Sequence, residues 1–245
     1  IRDRPKGSRA QYKLWSMSNT KSRKEIPNLI IWDLPLRVFH WALVSCVVIS
    51  VTSAKTGLTA IHERSGLAVM ALILFRVGWG FLGSETARFS SFLKSPFAVW
   101  SSLRQLMLKQ TDDLSGHSAL GGYATIVLLT ICIVMAVSGS FSTDDILYNG
   151  PFAHLAPGYI KLASSLHHMT EKVLFAVIVL HLFALFVYFW RLKKNLVPAM
   201  ITGRRPKAVG PSGDLPTSRT VFGLLLMIGL IGLFQLAPLL KPSLF

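Results

Sequence analysis

Five runs of almost uninterrupted apolar residues divide the chain, at Leu36–Ala54, Ser65–Leu82, Leu120–Phe141, Val173–Trp190 and Val221–Leu240. As helices rising 1.5 Å per residue, they match the roughly 30 Å hydrocarbon layer of a bilayer. None alternates apolar and polar positions as a membrane strand does, and in lipid each backbone polar group must be paired within its helix or around a closed barrel. The pattern predicts an all-α integral membrane protein with five spanning helices.

Composition agrees: 51% of the residues are hydrophobic and only 15% charged, with a mean hydropathy of +0.50. The net charge of +15 invites a nucleic-acid reading, but the Lys and Arg residues stand in blocks beside the apolar runs, where they act as topology signals. One block precedes the first span ("RDRPKGSR", "KSRKE"), a second separates spans two and three (Arg88, Lys94, Arg104, Lys109), and a third follows span four ("RLKKN", "GRRPK"). These place the N-terminus and the three blocks in the cytoplasm, and the connections "KTGLTAIHER" and "STDDILYNGPFAHLAPGYIK" outside. With five spans the tail "KPSLF" also ends outside. The expected setting is the bacterial inner membrane, with lipid as a partner and nucleic acid excluded.

The basic start followed by an apolar run and "VTSA" imitates a secretory signal, but its charged region would exceed 35 residues. Ile1 is no initiator; the residues before Met17 read as upstream translation or a fragment of a longer chain, and carry no assigned role. Cys46 and Cys132 lie within spans without metal-type spacing, and the absence of C-x-x-C-H excludes covalent c-type haem. Both read as small apolar packing residues.

The histidines change the picture. His181 lies deep in the fourth span, where an ionisable group is costly and points to function. His167 and His181 are 14 positions apart, which puts them about 40° apart on one helix face and about 21 Å apart along its axis. His168 projects to another face, which makes His167 the better partner of His181. His40 starts the first helix near the cytoplasm, and His62 starts the second near the outside. Depths therefore match in pairs: His62 with His167, and His40 with His181. Zinc wants three or four protein ligands, whereas haem iron needs only axial ones, so two bis-histidine sites point to two b-type haems.

Haem propionates are anionic, so Arg37 and Arg76 are candidates at the inner level and Arg64 at the outer one. Interfacial anchoring explains such arginines as well. His117, before the third span, is a candidate contact for a propionate or quinone, or an interfacial cap residue. Gly66, Gly121, Gly122 and Gly139 allow close backbone approach to a macrocycle or between helices. His154 reads as a solvated loop residue, and His168 as a residue supporting a ligand histidine, a proton-accepting group or an interfacial side chain. Asp144 and Asp145 read as solvated, with a cationic partner as the sharper alternative.

Several motifs in order resemble the bacterial cytochrome b-561 and Ni,Fe-hydrogenase cytochrome b superfamily: "WDLPLRVFHW", "HERSGLAVMALILFRVGWGFLG", "GHSALGG", "TDDI" with "GP", the His167-to-His181 spacing, and "ITGRR". The resemblance covers about residues 30–205. It implies a four-helix transmembrane bundle holding two b haems through one histidine on helix one, one on helix two and two on helix four. These positions are His40, His62, His167 and His181. The doublet "HH" departs from the family's usual histidine followed by an acid, which keeps His168 beside His167 as a candidate. The C-terminal fifth helix lies beyond the core.

The implied organisation is a basic, disordered segment (1–28), a di-haem cytochrome b domain (29–205), a linker (206–219) and a fifth helix with its tail (220–245). Two haems near opposite faces suit transmembrane electron transfer between the quinone pool and a redox protein such as a periplasmic cytochrome c or a hydrogenase. A second copy of the chain is a further candidate partner. The rival readings are a self-sufficient quinone, ferric or superoxide oxidoreductase, and a haem-free structural or proton-path protein. Interrupted helices in an inverted repeat, the mark of many transporters, are not seen.

Overall fold

Asp33 opens the helical bundle. The computed structural model describes residues 28–93, 95–108, 118–143, 148–206 and 211–240. The predicted disordered segment lies almost wholly outside these residues, as do His117, Asp144 and Asp145. Asp33 caps helix α1 (Leu34–Lys55) by accepting a 2.7 Å hydrogen bond from the Leu36 N–H, and Pro35 occupies the first turn, where no amide donor is needed. A three-residue turn through Gly57, at φ 71, reverses the chain into α2 (Thr59–Leu82). That left-handed turn is cheap only for glycine.

Two short helices follow, α3 (Phe89–Phe92) and α4 (Pro96–Met107). Then come α5 (Ala119–Phe141), capped by the Ser118 hydroxyl, and α6 (Ile160–Leu192). A short α7 (Val197–Thr202) and the long α8 (Thr217–Gln235) complete the helices. Five helices, α1, α2, α5, α6 and α8, are long and apolar enough to span a membrane, so the all-α five-span expectation holds. The boundaries differ: α2 begins at Thr59 and α6 at Ile160, because a helix continues through polar turns that an apolar window does not register. The loop expected between spans two and three contains α4, with Phe97 and Trp100 exposed on it.

Helix α2 is the axis. It packs against α1, α5 and α8, while α6 packs along α5 and is not packed along α1. Accordingly 61% of the apolar window of α2 is buried, against 6% for α6. The order α1, α2, α5, α6 leaves a cleft between the first and last of these helices, floored by the two in the middle. Large apolar side chains such as Val48, Phe183, Phe186 and Leu225 face outward, as lipid contact requires. Because lipid tails are as apolar as the core, association here relies on close packing and polar contacts. Gly223 of α8 supplies one such contact: an added Cβ would lie 2.5 Å from the Trp79 ring.

The Asp33 end is closed by a polar knot. Asp33 is buried and accepts from the Trp79 indole N–H (3.2 Å) and the Ser84 hydroxyl (2.6 Å) and amide (3.3 Å). A buried carboxylate is tolerable only with such saturation. Strand β1 (Leu29–Ile30) pairs antiparallel with β2 (Arg204–Arg205), matching Leu29 to Arg205 and Ile30 to Arg204. Gly203, at φ 79, accepts from the Ile31 amide at 2.7 Å. The "ITGRR" stretch thus clips the end of the bundle to the start of α1.

Candidate cofactor-binding cleft

Toward the Lys55 end of the cleft, His62 from α2 faces His167 from α6, with ring centres 6.1 Å apart and planes at 83°. The His62 Nδ1 lies 2.9 Å from the Ser50 carbonyl oxygen, and the His167 Nδ1 lies 3.0 Å from that of Met135. A carbonyl oxygen only accepts, so both Nδ1 atoms carry the proton and both Nε2 lone pairs are left for a metal. Two metal–imidazole bonds of about 2 Å, with the depth of each ring added, span about 6 Å. His62 and His167 are thus the residues that would hold a haem iron at this end.

Backbone proximity positions His167. A Cβ on Gly139 of α5 would stand 2.7 Å from its Cε1 and 2.9 Å from its Nδ1, so only a bare backbone admits the ring there. Gly66, one turn beyond His62, faces open space within 4 Å. His168 is exposed, its ring centre 6.1 Å from that of His167. Across the same end, Lys55 of α1 and Glu171 of α6 form an ion pair at 3.1 Å.

At the opposite end lie His40 of α1 and His181 of α6, both half-buried. The His40 Nδ1 is buried without a hydrogen-bond partner, and the Trp41 ring stands edge-on to the imidazole at 5.2 Å. Along α6 the two histidine levels are separated by about 21 Å. Among the described residues no group of three or more His, Cys, Asp or Glu side chains could hold a metal by itself. That donor set suits a group bringing its own equatorial ligands.

The arginines are placed differently from one another. Arg37, at the His40 end, donates from Nη1 to the Ile201 carbonyl at 2.6 Å and leaves Nε unpartnered. Arg76 is only 1% exposed: Nη2 donates to the Ala87 carbonyl at 3.2 Å and the guanidinium lies 4.8 Å from the Phe89 ring centre. Its Nη1 has no partner. Arg64 donates from Nη1 to the Gln235 carbonyl, and Gln235 Nε2 returns a 2.9 Å bond to the Arg64 carbonyl. The end of the fifth helix thus meets that side chain. His154 is exposed, as expected of a loop residue.

Sequence reasoning missed Asp33 and the two main-chain acceptors. For Asp33 the signal was present, an acid just before a proline and an apolar run, the signature of a helix N-cap. Nothing in a sequence marks the carbonyls of Ser50 and Met135.

An all-α membrane bundle with imidazoles facing each other across an open cleft has the architecture of a membrane cytochrome b. The chain belongs to the prokaryotic cytochrome b561 family, whose model matches residues 31–203. Membership implies b-type haem and points to electron transfer within a membrane. The match ends before α8. Comparison with curated proteins and with solved structures gives no match.

Proposed function

We propose that the chain holds two b-type haems, one between His62 and His167 and one between His40 and His181, and passes electrons across the membrane between quinone and a redox protein. The haem supplies reversible one-electron chemistry when bound. The facing of His62 and His167 at 6.1 Å, with both Nδ1 atoms engaged, carries the reading. His168 then stands outside the ligand set. Were each haem held by two histidines, oxygen binding at its iron would be disfavoured, which supports electron transfer as the role.

The basic blocks before α1 ("RDRPKGSR", "KSRKE"), between α2 and α5, and after α6 support a cytoplasmic N-terminus. In that orientation His40 and His181 lie toward the cytoplasm and His62 and His167 toward the outside. Arg37 is the candidate for an inner propionate, through its unpartnered Nε. A groove of about 390 Å³, lined by Leu34, Arg37, Val38, Trp41, Ala42, Ser45 and Ile201, would admit a quinone head from the lipid. The Lys55 end is where a periplasmic cytochrome c or hydrogenase-like partner would dock. Residues 29–205 form the haem domain in this reading, with 206–219 as linker and 220–245 as an added helix.

The test is a dithionite-reduced minus oxidised spectrum with a pyridine haemochrome count on protein purified from haem-supplied membranes. Two low-spin b haems per chain are expected. One or none would overturn the paired-site reading.

A further inference from the structure

The two histidine pairs are unequally supported, and we propose that this makes the His62–His167 site the lower-potential of the two haem sites. The inference rests on the two-haem reading above. At His62–His167 each ring donates Nδ1–H to a main-chain carbonyl, of Ser50 at 2.9 Å and of Met135 at 3.0 Å. Such a bond draws the proton away from the ring and makes Nε2 a more basic ligand. A more basic ligand favours ferric over ferrous iron and lowers the potential.

Both bonds are built in. Gly139 brings bare backbone against the His167 ring, where any Cβ would lie 2.9 Å from Nδ1. The Ser50 hydroxyl bonds the Ser65 hydroxyl at 2.6 Å, and Ser65 donates to the His62 carbonyl at 3.0 Å, which ties the acceptor's residue to the turn that carries the donor. The other level lacks this support: the His40 Nδ1 is buried and unpartnered, so its imidazole is the weaker electron donor.

Fixed charge does not separate the two levels. Arg37, one turn before His40, adds a cation at one, and Arg64, two residues after His62, adds a cation at the other, neither with an ion-pair partner among the described residues, so the distinction rests on the hydrogen bonds. At the other level the Glu171 carboxylate, one turn beyond His167, is neutralised by Lys55 at 3.1 Å.

The experiment is potentiometric titration of the full-length haem-loaded protein, with His40→Ala, His62→Ala and Gly139→Ala variants. Wild type should titrate in two waves. His40→Ala should keep the lower wave, and His62→Ala the higher. Gly139→Ala, which pushes His167 off the Met135 carbonyl, should move the lower wave upward and leave the higher in place. A His40→Ala protein keeping the higher wave, one unsplit wave in wild type, or a Gly139→Ala change confined to the higher wave would overturn the inference. If a histidine variant loses both haems, Gly139→Ala decides. Haem count separates the two claims: fewer than two haems in wild type refutes the two-haem reading, whereas two haems in the reverse order refute only this one.

Discussion

Arg64 and Gln235 hold each other by two hydrogen bonds, each side chain donating to the other's main-chain carbonyl. The pair joins the start of α2 to the end of α8 and gives Arg64 a structural occupation at the position expected to serve a propionate. Arg64→Ala should therefore lower stability in detergent by about 1 kcal/mol, the bond being charge-assisted but exposed. It should leave the haem count unchanged. Thermal unfolding and a haemochrome assay on one sample check both halves.

Asp33 satisfies the Leu36 amide, the Trp79 indole and Ser84 in a buried setting. Asp33→Ala strands these donors and removes the α1 cap, for an expected cost of about 3 kcal/mol. Asp33→Asn keeps an acceptor and should cost less. Comparative melting of the two variants measures the difference.

His167 faces His62 while His168 is exposed. His168→Ala should retain two low-spin b haems, and His167→Ala should retain one. The reduced spectrum reads this directly, and the converse result would move the ligand to the neighbouring position.

Arg37 combines a bond to the Ile201 carbonyl with a cationic charge beside His40. Arg37→Gln should lower the potential of the His40–His181 haem without moving the other, and Arg37→Lys should restore most of the difference by keeping the charge. Redox titration of the pair separates charge from geometry.

Gly223 sits against Trp79 and Pro35, where an added Cβ would approach to 2.5 Å and 2.9 Å. Gly223→Leu should displace α8 at about 2 kcal/mol, a usual cost of overpacking. Haem content should persist, because α8 rests on α2 and α1 and does not pack along α6. Melting temperature and haem stoichiometry together test whether the fifth helix is a brace.

The long apolar runs made the spans readable, and the 3.6-residue turn made the alignment of His167 with His181 readable, since both follow from chemistry local to one helix. Other features depend on what a distant segment brings. Arg64 and Arg76 carry the same charge near opposite ends of α2, and one meets Gln235 while the other meets Ala87 and Phe89. Residue type does not encode that choice. Helix α4 escaped because its Lys and Arg neighbours suggested a polar loop, although Phe97, Trp100 and Arg104 already outline an amphipathic turn pattern. The Nδ1 acceptors were invisible for a simpler reason: every residue has a carbonyl.

The pairing of Ile30 with Arg204, and of Arg37 with the Ile201 carbonyl, also sets an order of assembly. Asp33, Trp79 and Ser84 can meet once the first hairpin is in the bilayer. The clip that locks the start of α1 must wait until four membrane crossings have been synthesised and α6 has returned. Biogenesis of the cleft therefore ends with a latch, and a chain interrupted before Gly203 would leave the His40 end unfastened while its first hairpin was already formed.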